Sequence, residues 1–442
     1  YPMEFYGSIL SLKDNEGNFL EKTPDDMHRR IAKELARIEK NKFKEPFTEE
    51  FIFQKLQYFA EIIPQGSPMY GIGNKYQYST LSNCYVIDSP VDSYGGIMKA
   101  DEEIVHLSKR RGGIGLDISN LRPKDSSVKN AARTTSGAIS FMERFSNTLR
   151  EVGQYGRRGA GMITISVHHP DILDFISAKQ DPTKVTGANI SIRLSDEFLS
   201  AVDQKKEYQL RYPVDNKQPH ISKWVPAIEI WHKIIENAHK RAEPGLLFWD
   251  SIINESPADC YKNLGYQTIS TNPCGELPLS AGDSCRLLAT NLCACIDNPY
   301  TEAAQFNFDY LFEISQIAQR LMDDIIDLEI ESIDRILLKI SQDPEQNIIK
   351  IREQTLWTNI KQTCMNGRRT GTGITALGDV LAACNIKYGS QKSVDLTDKI
   401  YQTHKLGCYR ASVDMAKELG AFPIFDASLE KSNPFLGRIK KE

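Results

Sequence analysis

Residues Asn272-Pro273-Cys274-Gly275-Glu276 set an amide, a thiol and a carboxylate at alternate positions of one short segment. In an extended chain such alternate side chains point to one side. Pro273 fixes its own φ and biases Asn272 toward extended backbone, while Gly275, lacking a side chain, lets a ligand come close to the main chain. Two further thiols stand in polar, turn-like settings: Cys84 in Leu81-Ser82-Asn83-Cys84-Tyr85-Val86 and Cys285 in Asp283-Ser284-Cys285-Arg286-Leu287-Leu288. One cysteine for radical or nucleophilic work, plus two that cycle between dithiol and disulfide, is the inventory of a reductase. A free cysteine taken alone is more often a small buried hydrophobe. The setting of these three turns the reading.

Several segments resemble ribonucleotide reductase large subunits in the same chain order. The Cys274 loop resembles that family's finger loop, and Leu81 to Val86 its first redox-cysteine strand. Ser108-Lys109-Arg110-Arg111-Gly112-Gly113-Ile114-Gly115-Leu116 resembles the glycine-rich substrate strand, and Ser119-Asn120-Leu121-Arg122-Pro123 the first specificity loop. Gly153 to Gly161, with Arg157 and Arg158 at its centre, resembles the second loop, and Gly367 to Ile374 a later barrel strand. The resemblance implies a ten-stranded α/β barrel of the ribonucleotide reductase type, incomplete in this chain, with an N-terminal helical region. The division expected is 1–65 for the helical region and 66–442 for the barrel.

The implied reaction replaces a ribose 2′-hydroxyl by hydrogen. Cys274 would carry a thiyl radical and take the 3′-hydrogen, and Glu276 would accept the 3′-hydroxyl proton as general base. Asn272 would hold and polarise the substrate, and Cys84 and Cys285 would supply the electrons and end as a disulfide. Ser67, Asn83 and the amides of Gly112 and Gly113 would bind the nucleotide. Asp92, Ser93 and Arg122 match the positions that bind a deoxynucleotide or ATP effector with Mg, and Arg158 would carry its message to the substrate. Asn-Pro-Cys-Gly-Glu, with the residues around Cys285, looks more like the adenosylcobalamin-dependent class II enzymes than like class I subunits, which receive their radical from a partner.

The implied partners are a ribonucleotide substrate, a thioredoxin- or glutaredoxin-like reductant, a second copy in a homodimer, and a second polypeptide completing the barrel. The family's later strands are not matched beyond Ser432-Asn433-Pro434-Phe435, so the chain reads as a split, truncated or partial form. One rival reading is a nucleotide-binding subunit inactive without a second chain. The other is a structural zinc site at Cys274, Cys285, Cys293 and Cys295, whose spacing lacks a tight C-x2-C pair. The favoured reading places no metal on the protein and treats Cys260, Cys293, Cys295, Cys364, Cys384 and Cys408 as structural thiols.

The elements that must position these groups are legible as period and punctuation. Thr23, Pro24 and two aspartates make an N-cap and dipole-matched first turn ahead of Met27, Ile31, Leu35 and Ile38 on one face. Thr48 opens a second helix, read through Ile63. Apolar runs at 163–167 and 188–194 alternate with helical stretches at 170–178 and 195–202, the βαβ signature of a parallel sheet or barrel. A further round runs from the helix at 226–241 into a strand at 246–249. Asp323 to Glu329 carries apolar residues between its charges and reads as a solvated helix face.

The chain's 442 residues exceed one ordinary core, and a net charge of −4 gives no sign of a nucleic-acid surface. No run of some 18 apolar residues and no signal-like start is present, so no membrane partner is expected. Nine unevenly spaced cysteines suit a reducing cytoplasm.

Overall fold

A computed structural model describes residues 11–154 and 159–441. The chain forms two compact units, one of Tyr1–Asn83 with Cys285–Phe425 and the other of Cys84–Ser284 with Asp426–Glu442.

In the first unit, helix α1 (Pro24–Lys42) starts as the sequence predicts. Thr23 and Asp26 form a reciprocal capping box, and the face bearing Met27, Ile31, Leu35 and Ile38 is buried. That face shares a core with Leu311, Ile314, Ala318, Leu321 and Ile325 of the long helix Phe308–Gln342. Helix α2 (Glu49–Leu56) is capped by Thr48 but does not reach Ile63. Tyr58 and Phe59 take left-handed backbone, and Ile62–Pro64 form strand β1. Two β-branched residues before a proline favour extended chain, and tertiary pairing decides the matter. β1 pairs antiparallel with the strand Leu287–Asn291, which pairs parallel with Gly371–Thr375.

The acidic run departs from the expected solvated face. Lys42 Nζ stands 2.6, 3.1 and 2.7 Å from carboxylate oxygens of Asp323, Asp324 and Asp327, and Arg368 pairs with Asp323 and Asp327 at 2.9 and 2.8 Å. Burial raises the Asp323 carboxyl, but Arg368 and Lys42 outweigh it and hold it below the usual range. Glu329 is also buried, accepting from the hydroxyls of Thr80 and Ser82 and from Leu81 N. Apolar residues between the charges carry this helix into the interior, and cations from α1 and from the Arg368 cap compensate it.

In the second unit, β2 (Cys84–Val86), β3 (Gly113–Asp117), β4 (Gly161–Ser166), β5 (Asn189–Leu194) and the strand Gly245–Phe248 pair in that order, all parallel. Helices Ile172–Ser177, Asp196–Asp203 and Ala227–Arg241 fall where the βαβ pattern predicts them. Ile163, Ile165, Ile190 and Ile192 are buried, as continuous apolar strands of a covered parallel sheet must be. Glu207–Tyr212 and Ile221–Pro226 form an antiparallel hairpin, and so do Thr268–Thr271 and Pro278–Ser280. Among the described residues no helix is long and apolar enough to cross a membrane.

Candidate active site

The hairpin Thr268–Ser280 carries the Cys274 loop at its tip. Asn272 to Gly275 is a β-turn rather than extended chain: Gly275 N donates to Asn272 O at 3.0 Å, and Gly275 has φ 87°. Asn at the first position, Pro at the second and Gly at the fourth are the preferences of a type I turn. The three side chains therefore do not share a face. Asn272 is buried, while Cys274 and Glu276 are exposed.

Asn272 holds the loop from within. Its N donates to Leu277 O at 3.1 Å, its Oδ1 accepts from Leu277 N at 2.9 Å, and its Nδ2 lies 3.9 Å from Cys84 Sγ. Cys84 opens β2 and pairs in register with Gly113. The hairpin passes so close to the sheet that a Cβ on Gly115 would overlap the carbonyl oxygen of Thr271. The absent side chain at 115 is what admits the hairpin, a role the sequence reading did not assign. Gly112 is bare for a different reason: a Cβ there would meet the Tyr85 ring at 2.8 Å, and its N–H is taken by Leu107 O.

In the first unit, Ser67 N donates to Asn83 Oδ1 at 2.8 Å, which brings these two expected substrate residues together. The Ser67 hydroxyl is buried with no partner among the described residues, so it can accept or donate to a ligand. Asn83 N donates to Cys285 O at 2.8 Å, and Cys285 is buried. Next to it, the buried guanidinium of Arg286 donates to Arg369 O at 2.7 Å and reaches Ser82 Oγ and Cys364 Sγ, each at 3.4 Å.

The expected effector residues also assemble in the second unit. Arg122 Nε donates to Asp92 Oδ2 at 2.7 Å, Arg122 N to Asp92 Oδ1 at 3.1 Å, and Ser93 Oγ caps the helix Tyr94–Ser108. Tyr212 joins them unannounced by any motif: its hydroxyl donates to Asn120 O at 2.8 Å and lies 3.2 Å from Asp92 Oδ2. Burial, then the Asp92 charge, pushes this phenol up to about 12. Arg158 lies outside the described residues.

Among the described residues no group of three or more His, Cys, Asp or Glu is placed to hold a metal ion. Burial pushes the thiols of Cys295 and Cys408 up to about 12, so both stay protonated.

The family model for the ribonucleotide reductase barrel domain matches residues 82–435. The chain belongs to this family. The expected α/β barrel class is thus the family fold. A vitamin B12-dependent ribonucleoside-diphosphate reductase of Thermoplasma acidophilum is 32% identical over 379 residues, covering 85% of this chain and 44% of that protein. A reductase of the same name from Mycobacterium tuberculosis is 30% identical over 378 residues, 85% of this chain and 49% of that protein. The ribonucleoside-diphosphate reductase large chain of Neurospora crassa is 26% identical and covers 79% of this chain and 37% of its own. This ribonucleotide reductase barrel chain therefore spans less than half the length of these relatives. A class Id ribonucleotide reductase alpha subunit from Actinobacillus ureae superposes with a TM-score of 0.71 at 17% identity, over 96% of this chain and 68% of that one.

Proposed function

We propose that the chain is the catalytic part of a ribonucleotide reductase, converting ribonucleotides to 2′-deoxyribonucleotides with Cys274 as the radical-bearing residue. The observation that carries this reading is the hairpin tip: Cys274 is exposed on a tight turn whose buried Asn272 lies beside Cys84. Cys274 takes the 3′-hydrogen and Glu276, exposed two residues on, accepts the 3′-hydroxyl proton. Asn272 Nδ2 is the group that polarises a substrate hydroxyl near Cys84. The 2′-oxygen leaves as water. Cys84 and Cys285 supply two electrons and two protons and end joined by an S–S bond, and Cys274 returns hydrogen to C3′ and regains the radical. The Ser67 hydroxyl and Asn83 bind the nucleotide, and Gly112 and Gly113 are the glycines of the proposed substrate strand.

Adenosylcobalamin is the radical source we favour, supported by the names of the Thermoplasma and Mycobacterium relatives. The loop fits such a group: Cys274 is exposed, and nothing stands within 4 Å of a Cβ built on Gly275. When bound, such a cofactor would supply radical chemistry, and Cys274 is the residue that would receive the radical. Asp92, Ser93, Arg122 and Arg158 serve a deoxynucleotide or ATP effector with Mg. A thioredoxin- or glutaredoxin-like protein in a reducing cytoplasm restores the dithiol. In this reading 66–442 is barrel and 1–65 a helical lead-in.

The test is a peptide map of the complete enzyme after turnover without external reductant. A Cys84–Cys285 disulfide is expected, and both thiols remaining free after substrate is consumed would refute the assignment.

A further inference from the structure

Strand β5 carries Asn189, Ser191 and Arg193 on one face, because side chains alternate along a strand. Both its polar ends reach the hairpin that bears Cys274. Asn189 Nδ2 donates to the carbonyl oxygen of Pro273 at 2.9 Å, one residue before the cysteine. Arg193 Nη1 donates to the carbonyl oxygen of Ile269 at 3.2 Å, at the hairpin's base. Four residues separate the contacts on each strand, about 13 Å of extended chain, so the strands match in length.

Arg193 is itself fixed. Its Nη2 donates to Ser119 Oγ at 3.1 Å, its guanidinium lies 4.6 Å from the centre of the Trp249 ring, and its Nε stands 3.1 Å from Asp117 Oδ2, an ion pair without an aligned hydrogen bond. Asp117, at the end of β3, also accepts from Thr164 Oγ1 at 2.9 Å and from Ser119 N at 3.1 Å. Thr164 on β4 in turn shares a 3.0 Å hydrogen bond with Ser270 Oγ of the hairpin. Two neighbouring strands, β4 and β5, thus aim polar groups at residues 269, 270 and 273, and Asp117 of β3 ties those groups together. An ordinary buried network would satisfy its own strands; this one donates outward to the main chain of the reactive loop.

We propose that Asn189 and Arg193 are positioning residues for Cys274, holding the tip and the base of its hairpin so that the sulfur meets the substrate in one orientation. The inference rests on Cys274 being the radical-bearing residue. Asn189 is exposed, so its replacement removes one donor at the loop without opening the core.

The experiment compares Asn189→Ala and Arg193→Gln with the parent in the complete enzyme, reading kcat, KM and the rate at which N-ethylmaleimide alkylates Cys274. Both variants are expected to lower kcat roughly tenfold to a hundredfold with KM little changed, the scale of a misplaced reacting group. Alkylation of Cys274 is expected to change severalfold in the same variants. A purely structural role would reduce the yield of folded protein and leave these ratios alone. Parent-like kcat and alkylation in Asn189→Ala overturn the proposal, whatever the folding of Arg193→Gln. The alkylation readout stands even if Cys274→Ala retains turnover, an outcome that would refute the functional reading instead.

Discussion

Asn272 Nδ2 lies 3.9 Å from Cys84 Sγ, across 188 residues of sequence, so the base of the Cys274 turn and the proposed redox thiol are neighbours within one folded unit. The hydrogen bonds of Asn272 to Leu277 make that placement a property of the turn and leave it little dependence on rotamer choice. Gly115 completes the arrangement by letting Thr271 lie against β3.

Gly115→Ala is the sharpest probe of that seat. The added methyl meets a main-chain carbonyl, which cannot turn aside as a side chain can. A loss of about 1–3 kcal/mol in urea unfolding is expected, as for overpacked cores, together with a fall in turnover of about a hundredfold from displacement of the hairpin. Parent-like values of both would show that the hairpin does not need this approach.

Glu329→Gln tests the buried carboxylate beneath the segment leading to Cys84. Its two oxygens accept from Thr80, Ser82 and Leu81 N, and an amide nitrogen in place of one oxygen faces a donor with a donor. Unfolding free energy is expected to fall by about 1–3 kcal/mol. No change in the urea midpoint would mean that these contacts contribute nothing net.

His168 gives the protein an acid-sensitive side. Burial, then the Arg211 charge beside it, lowers its imidazolium pKa to about 4, below the ordinary 6.5. Between those values the unfolded chain binds a proton that the folded one refuses, so stability is complete above about pH 6.5 and is lost as pH falls toward 4. Replacing it with glutamine should flatten this slope by up to about 1.4 kcal/mol per pH unit. The check is urea unfolding of parent and variant from pH 4 to 7. An unchanged slope would assign the acid loss to other groups.

Local signals in the sequence carried much of the fold. The capping box at Thr23, the three- and four-residue spacing of Met27, Ile31, Leu35 and Ile38, and the alternation of apolar runs with helices after residue 160 each fix an element through its nearest neighbours. Where a long-range partner decides, local signals fail. Ile62 and Ile63 read as the end of a helix because their pairing with Ala289 and Thr290 is invisible locally. The acidic run reads as solvated because Lys42 and Arg368 come from elsewhere in the chain. At the proposed site, the cysteines and Glu276 stand out in the sequence by residue type and spacing. The turn that separates Asn272 from them was written in Pro273 and Gly275 and misread as extended. Tyr212, Asn189 and Arg193 carry no motif, and only the folded chain brings them to the proposed effector residues and the hairpin.

The central claim is that Cys274 bears the radical. Its most direct test is the turnover of Cys274→Ala in the complete enzyme, with deoxynucleotide effector binding measured on the same preparation. Effector binding should be unchanged and reduction of ribonucleotide absent, because alanine can neither carry a thiyl radical nor return the 3′-hydrogen. Steady-state reduction near the parent rate in that variant would contradict the account.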